Sequence, residues 1–127
     1  MYAKVITVGR LGRDPDSRFM PNGKQVTSFT LACSREYTSE GEKVKETTWF
    51  RVTVFGNQAG PCSEYLKKGS MVLVEGHLVP DKKTGGPPIW MDKDGNPRSN
   101  FELTASTVRF LSPAPTLKDE NYLPLAE

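Results

Sequence analysis

Apolar side chains recur at every second residue in several stretches of this chain, the period of a β-strand with one buried face. The first stretch, "YAKVITVG" at 2 to 9, is rich in β-branched residues and predicts a strand. "GRLGRDPDS" then reads as a turn-forming region, "SRFM" as a short strand and "PNG" at 21 to 23 as a turn. Alternation resumes from Lys24 to about Tyr37, where Phe29, Leu31 and Cys33 interleave with Thr30, Ala32 and Ser34. A polar loop, "TSEGEK", leads in hairpin fashion into "KETTWFRVTVFG" at 45 to 56.

That last stretch has two unlike faces. Glu46, Thr48, Phe50, Val52 and Val54 grow steadily more apolar, as a core-facing row does. Lys45, Thr47, Trp49, Arg51, Thr53 and Phe55 instead mix aromatic rings with cations. Past Gly56 the period changes. Ala59, Cys62 and Leu66 stand near helical spacing, which predicts a short helix starting at Pro61 with Gly69 as its C-cap. Strand character returns at 70 to 79, "SMVLVEGHLV". A long loop of Pro, Gly, Lys and Asp follows, holding "IWM" and the turn "KDGN" at 93 to 96, before a last strand from about 98 to 111. This order predicts an all-β chain, a five-stranded OB-fold Greek-key barrel. Its one short helix falls between strands 3 and 4, and its β-hairpin loops are long. Residues 1–112 form that domain. Residues 113–127 contain three prolines without periodicity and read as a short C-terminal extension.

A length of 127 residues suits one domain with one hydrophobic core. The net charge of +2 decides little, but its distribution says more. Lys118 against Asp119, Glu120 and Glu127 makes the extension net −2 and leaves a body of net +4, which favours an anionic partner. Cys33 and Cys62 are too distant in sequence for a metal or redox pair, and are expected as two buried thiols in a reducing compartment. No apolar run approaches a membrane span, and "MYAKVITVGR" lacks the apolar stretch of a secretory signal, so a cytoplasmic location is expected.

Catalysis is poorly supported. His77, the single histidine, has no nucleophile partner at a recognisable spacing and reads as a surface or interface residue. Two distant cysteines and one histidine make no metal site, and no cofactor is expected. "GRLG" at 9 to 12 lacks the Lys-Ser/Thr of a phosphate-binding loop, so its glycines read as backbone flexibility at a strand end.

Binding is better supported. A single-stranded nucleic acid needs a cationic track for its phosphates and flat rings on which its bases stack. The row Lys45–Trp49–Arg51–Phe55 offers both, at two-residue steps of ~6.6–6.8 Å. A buried pair of rings with cations snorkelling past them is an equally good reading of those residues alone. Trp90 lies in the loop between the last two strands, flanked by Lys82, Lys83, Lys93 and Arg98. It suits stacking or a small loop cluster with Ile89 and Met91. Tyr37, beside Arg35, suits stacking or the cover of a barrel edge.

The motifs "VGRLGRDP", "MPNG", "TWFRVTVFG", "SEYLKKGS" and "VEGHL" resemble, in order and spacing, the bacterial single-stranded DNA-binding protein family over about residues 1 to 112. The resemblance implies an OB-fold that coats single-stranded DNA with little sequence preference in replication, recombination and repair, usually as a homotetramer associated with the nucleoid. It implies Tyr37, Trp49, Phe55 and Trp90 as stacking residues, with Tyr37 at a position that is often Trp. Arg35, Lys45, Arg51, Lys82, Lys83 and Arg98 are the candidate phosphate contacts. The loop before Trp90 carries an extra-looking "TGGPP". Family members recruit replication and repair proteins through an acidic Pro-Phe tip, and this sequence ends "KDENYLPLAE", so such partners are possible but recruitment through that tip is not expected. An RNA-binding or replication-restart accessory OB module is a second reading, and a subunit of a nucleic-acid enzyme or a pure assembly factor a third.

Overall fold

Five apolar rows can all be covered at once if their strands close into a ring, and that is the arrangement in the computed structural model, which describes residues 1–112. The expectation for residues 113–127 lies outside the described residues. The strands are β1 (Val5–Leu11), β2 (Asp16–Phe19), β3 (Gln25–Ser39), β4 (Glu42–Phe55), β5 (Met71–Leu78), β6 (Ile89–Met91), β7 (Pro97–Ser99) and β8 (Phe101–Phe110). The helix α1 (Ala59–Tyr65) lies between β4 and β5. Neighbours run β1-β5-β8-β4-β3, and β1 pairs again with β3 through Arg10↔Ala32 and Leu11↔Leu31, which closes the barrel. Among the described residues only β4 and β8 run parallel, because the chain crosses over through β5 between them. This is the OB-fold expected from the order of elements.

The inward rows make the core. Phe29 and Leu31 of β3 meet Val52 and Phe50 of β4 in direct register, and Leu103 of β8 lies beside Val52. Val72 and Val74 of β5 complete the ring, and Ala59, Cys62 and Leu66 plug it from the helix side. Two polar fastenings hold that plug. The Thr27 hydroxyl donates to the Ala59 carbonyl at 2.6 Å. A β-bulge between β5 and β8 leaves Ser106 out of register, and the Gln58 side chain bridges it, donating to the Ser106 carbonyl at 3.1 Å and accepting from the Val108 N–H at 2.8 Å.

Several details differ from the sequence reading. The helix starts at Ala59 behind a 3₁₀ turn, Gly56–Gln58, and Pro61 sits in the first helical turn, where N–H groups lack acceptors anyway. Leu66 is already extended, so Gly69 is not the C-cap. Gly69 instead turns the chain at φ +89°, with its N–H on the Leu11 carbonyl. The polar loop "TSEGEK" is a two-residue turn, because Glu40 and Gly41 both take positive φ as a type I′ hairpin requires, and pairing runs out to Ser39↔Glu42. The last barrel strand begins at Phe101, and Pro97–Ser99 pairs instead with Ile89–Met91 in a small separate ribbon. Of the two free thiols, Cys62 is buried, with desolvation pushing its pKa up to about 11, whereas Cys33 is only half-buried.

The glycines of "GRLG" serve close approach rather than flexibility. Gly9 is buried mid-strand where β1 crosses β3, and a Cβ there would collide with the Ala32 carbonyl oxygen. Gly9→Ala therefore forces the closing strands apart. It is expected to destabilise the fold by roughly 1–3 kcal/mol, the cost of overpacking, read as a lower urea midpoint. An unchanged midpoint would show that the closure is loose.

Candidate nucleic-acid interface

The outer row of β4 is exposed except at Thr53, which is half-buried. Trp49 is 52% and Phe55 48% exposed, while Val52 and Val54, one step along the strand, are buried. This decides between the two readings of the row: the rings are outside. Lys45, Thr47, Trp49, Arg51, Thr53 and Phe55 share their face with Glu36, Ser34, Ala32, Thr30, Ser28 and Val26 of β3, which oppose them in register. Trp49 thus stands opposite a small alanine, and its indole reaches across β3 onto Gly12. That glycine is held against β3 by its N–H on the Thr30 carbonyl at 3.1 Å. A Cβ at Gly12 would lie 2.6 Å from Cζ3 of Trp49, so the glycine is the seat of the ring.

The other candidates fall in three separate places. Tyr37 and Arg35 have the parity of Phe29 and Leu31, so they occupy the reverse face of the β3–β4 hairpin, beyond the end of the barrel. There the Arg35 guanidinium lies 5.0 Å over the Tyr37 ring and 3.6 Å from the Glu46 carboxylate. A hydrogen bond to Glu46 raises the Tyr37 pKa above its usual value.

Trp90 stands on β6 opposite Arg98 of β7, exposed. Asp92 organises that ribbon. One carboxylate oxygen accepts from the Asp94 and Asn96 N–H groups at 2.9 Å each, and the other accepts from Arg98 Nε at 2.8 Å. Lys82 and Lys83 ride on a turn built the same way, where Asp81 accepts from the N–H groups of Lys83 and Thr84 at 2.8 and 3.0 Å. Of the six candidate cations, Arg35 and Arg98 are in ion pairs. Lys45, Arg51, Lys82 and Lys83 are in none among the described residues.

Sequence reading missed Gly12, Arg13 and the hydroxyls of Ser28 and Thr30. Arg13, Ser28 and Thr30 line one cleft with Arg51. Turn residues carry no alternation, so nothing in the pattern orients Arg13. Ser28 and Thr30 were legible as the outward neighbours of Phe29.

An exposed sheet face that pairs aromatic rings with unpaired cations, flanked by the β1–β2 turn and the loop before β8, is the layout of OB-fold proteins that bind oligonucleotides or oligosaccharides. The single-strand binding protein family matches residues 2–111. A single-stranded DNA-binding protein of Neisseria meningitidis serogroup A is 38% identical over 109 residues, covering 85% of this chain and 59% of its own length. Among solved structures, a Plasmodium falciparum SSB in complex with ssDNA superimposes with a TM-score of 0.72 at 26% identity, covering 88% of this chain and 97% of that one. A small single-stranded DNA-binding protein from Streptomyces coelicolor gives a TM-score of 0.67 at 21% identity, a likeness of fold, over 85% of this chain and 93% of that one. The chain belongs to the single-strand binding protein family.

Two outcomes follow from this geometry. Gly12→Val is expected to displace the indole from its seat, changing the near-UV circular dichroism and tryptophan emission while far-UV signals persist. Unchanged spectra would mean that the ring does not rest there. Arg98 first, then the Asn96 N–H, holds the Asp92 carboxyl below its usual pKa. A depressed folded-state pKa contributes stability that is full above the ordinary carboxylate range and lost as pH falls through the folded value. Trp90 emission is therefore expected to change on acidification below that range, and Asp92→Asn to abolish the change. A transition that survives in Asp92→Asn would assign it to another group.

Proposed function

We propose that this protein binds single-stranded DNA with little sequence preference, bases stacking on Trp49 and Phe55 while Lys45 and Arg51 meet phosphates. One observation carries the reading: two exposed rings share a strand face with two cations that have no ion pair among the described residues. The family and the ssDNA-bound structural relative support it. Trp90 with Lys82 and Lys83 extends the track onto the loop before β8, and Tyr37 with Arg35 serves a strand that wraps the projecting hairpin. Coating and protecting exposed strands in replication, recombination and repair is the role this binding suits, in the cytoplasm. Among the described residues no helix is long and apolar enough to cross a membrane, and no group of His, Cys, Asp and Glu gathers as metal ligands. The role proposed is that of a binding protein rather than an enzyme.

Assembly as a homotetramer is part of the proposal. Ile6 is 62% and Val8 44% exposed on the outer face of β1. That strand pairs with β3 only at Arg10 and Leu11, so residues 5 to 9 keep one edge open. A second copy covers such an edge with little adjustment.

Titration of intrinsic fluorescence with poly-dT, with light scattering on the same sample, tests both parts. Quenching and a four-subunit mass are expected, and an RNA homopolymer is expected to compete poorly. Trp49→Ala is expected to keep the fold and weaken binding by ~1–3 kcal/mol, the worth of one base–aromatic stack. Full affinity in Trp49→Ala would remove β4 from the interface.

A further inference from the structure

A cleft opens on the outer face between the β1–β2 turn and the sheet. Arg13, Asp14 and Asp16 line it from the turn and the start of β2, Ser28 and Thr30 from β3, and Arg51 from β4. We propose that this cleft seats a single backbone phosphate, gripped jointly by Arg13 and Arg51, of the nucleotide whose base rests on Trp49. The inference rests on the single-strand-binding reading and adds to it a site and a residue, Arg13.

Position supports it first. Arg51 is two residues from Trp49 on the same face, a step of ~6.6–6.8 Å. The far edge of the indole lies on Gly12, whose chain neighbour is Arg13. Arg13 thus follows the residue under the indole and Arg51 stands two positions along the strand from it, and both line the cleft. A nucleotide stacked on Trp49 would bring its phosphate there. Neither arginine makes an ion pair among the described residues. Arg51 lines this cleft over β3, although Glu102 of β8 is its register partner on the other side. The planar guanidinium fork suits phosphate oxygens, and the hydroxyls of Ser28 and Thr30 are further donors.

Charge explains why this is a seat rather than a general basic patch. Two arginines and two aspartates sum to zero, so the cleft draws no anion from a distance and holds one only through short bonds. Asp14 is already engaged, accepting from the Lys68 N–H at 2.8 Å. The Asp16 carboxylate makes no hydrogen bond or ion pair among the described residues and is the group that opposes an anion there. Its removal therefore has the opposite sign to removal of either arginine.

The test is fluorescence titration of the full chain with oligo-dT over a range of KCl concentrations. Arg13→Ala is expected to lower affinity roughly tenfold, the scale of a charge-assisted contact, and to reduce the magnitude of the log–log salt slope by ~0.7, one phosphate's worth. Arg51→Ala is expected to do the same, and the double variant to reduce the slope by that amount once rather than twice. Asp16→Asn is expected to tighten binding severalfold at low salt, and Arg13→Lys to restore the slope but only part of the affinity. Wild-type affinity and slope in Arg13→Ala, with its urea midpoint unchanged, would overturn the proposal, as would a double variant that loses the slope twice over. Failure of the unaltered chain to bind oligo-dT is a separate outcome and would remove the binding reading itself.

Discussion

Strict side-chain alternation along β4 is the constraint on which the rest depends. Its inward residues Val52 and Val54 are buried, and its outward residues Trp49, Arg51 and Phe55 are exposed. A slip of one residue would exchange the two rows, putting a guanidinium into the core and two valines into water. Register is therefore fixed by the core, and the outer face inherits its order from that. The strand is also central, held by β3 on one side and β8 on the other, so the platform it presents is stiff.

Closure of the barrel is the second condition, and it works through missing side chains. Gly9 lets β1 cross β3, and Gly76 lets β5 pass the Thr104 carbonyl beside the bulge. The same device then serves the surface, where Gly12 gives the Trp49 indole a place to lie. The loops are ordered by carboxylates instead. Asp81 and Asp92 each gather backbone N–H groups, and those bonds, with Arg98 in the case of Asp92, hold both carboxyls below their ordinary pKa. A turn bonded in this way holds Lys82 and Lys83, or Trp90, in place before any partner arrives, which lowers the ordering cost of binding.

The barrel was legible because alternation and turn residues are local signals. Val52 and Val54 read correctly as a core-facing row, while Phe29 and Leu31, read as alternating, and Ala59, Cys62 and Leu66, read at helical spacing, prove to be buried. Whether the outer face with Trp49 and Phe55 was itself covered was not legible, since strand period gives two faces without saying whether a second layer packs on the outer one. Close approaches were also hidden. Gly9 against Ala32 and Gly12 against Trp49 each join residues more than twenty positions apart, as does the cleft that Arg13 and Arg51 both line, and no periodicity reports that. Tyr37 read as a companion of Trp49, yet counting back along the hairpin from Ala32, the partner of Trp49, puts it on the reverse face. That count needs the two-residue turn at Glu40–Gly41, and the polar composition of "TSEGEK" did not reveal it.

The central claim is that the Trp49 face of β4 is where a single strand lies. Amide and indole NMR resonances followed during addition of a short oligo-dT test it most directly. The Trp49 indole, the Gly12 and Arg13 amides and residues 49 to 55 are expected to shift first, while Ile6 and Val8 on the outer face of β1 stay still. Shifts that gather on β1 and β5 with the Trp49 indole unmoved would place the strand on the opposite side of the barrel and contradict it.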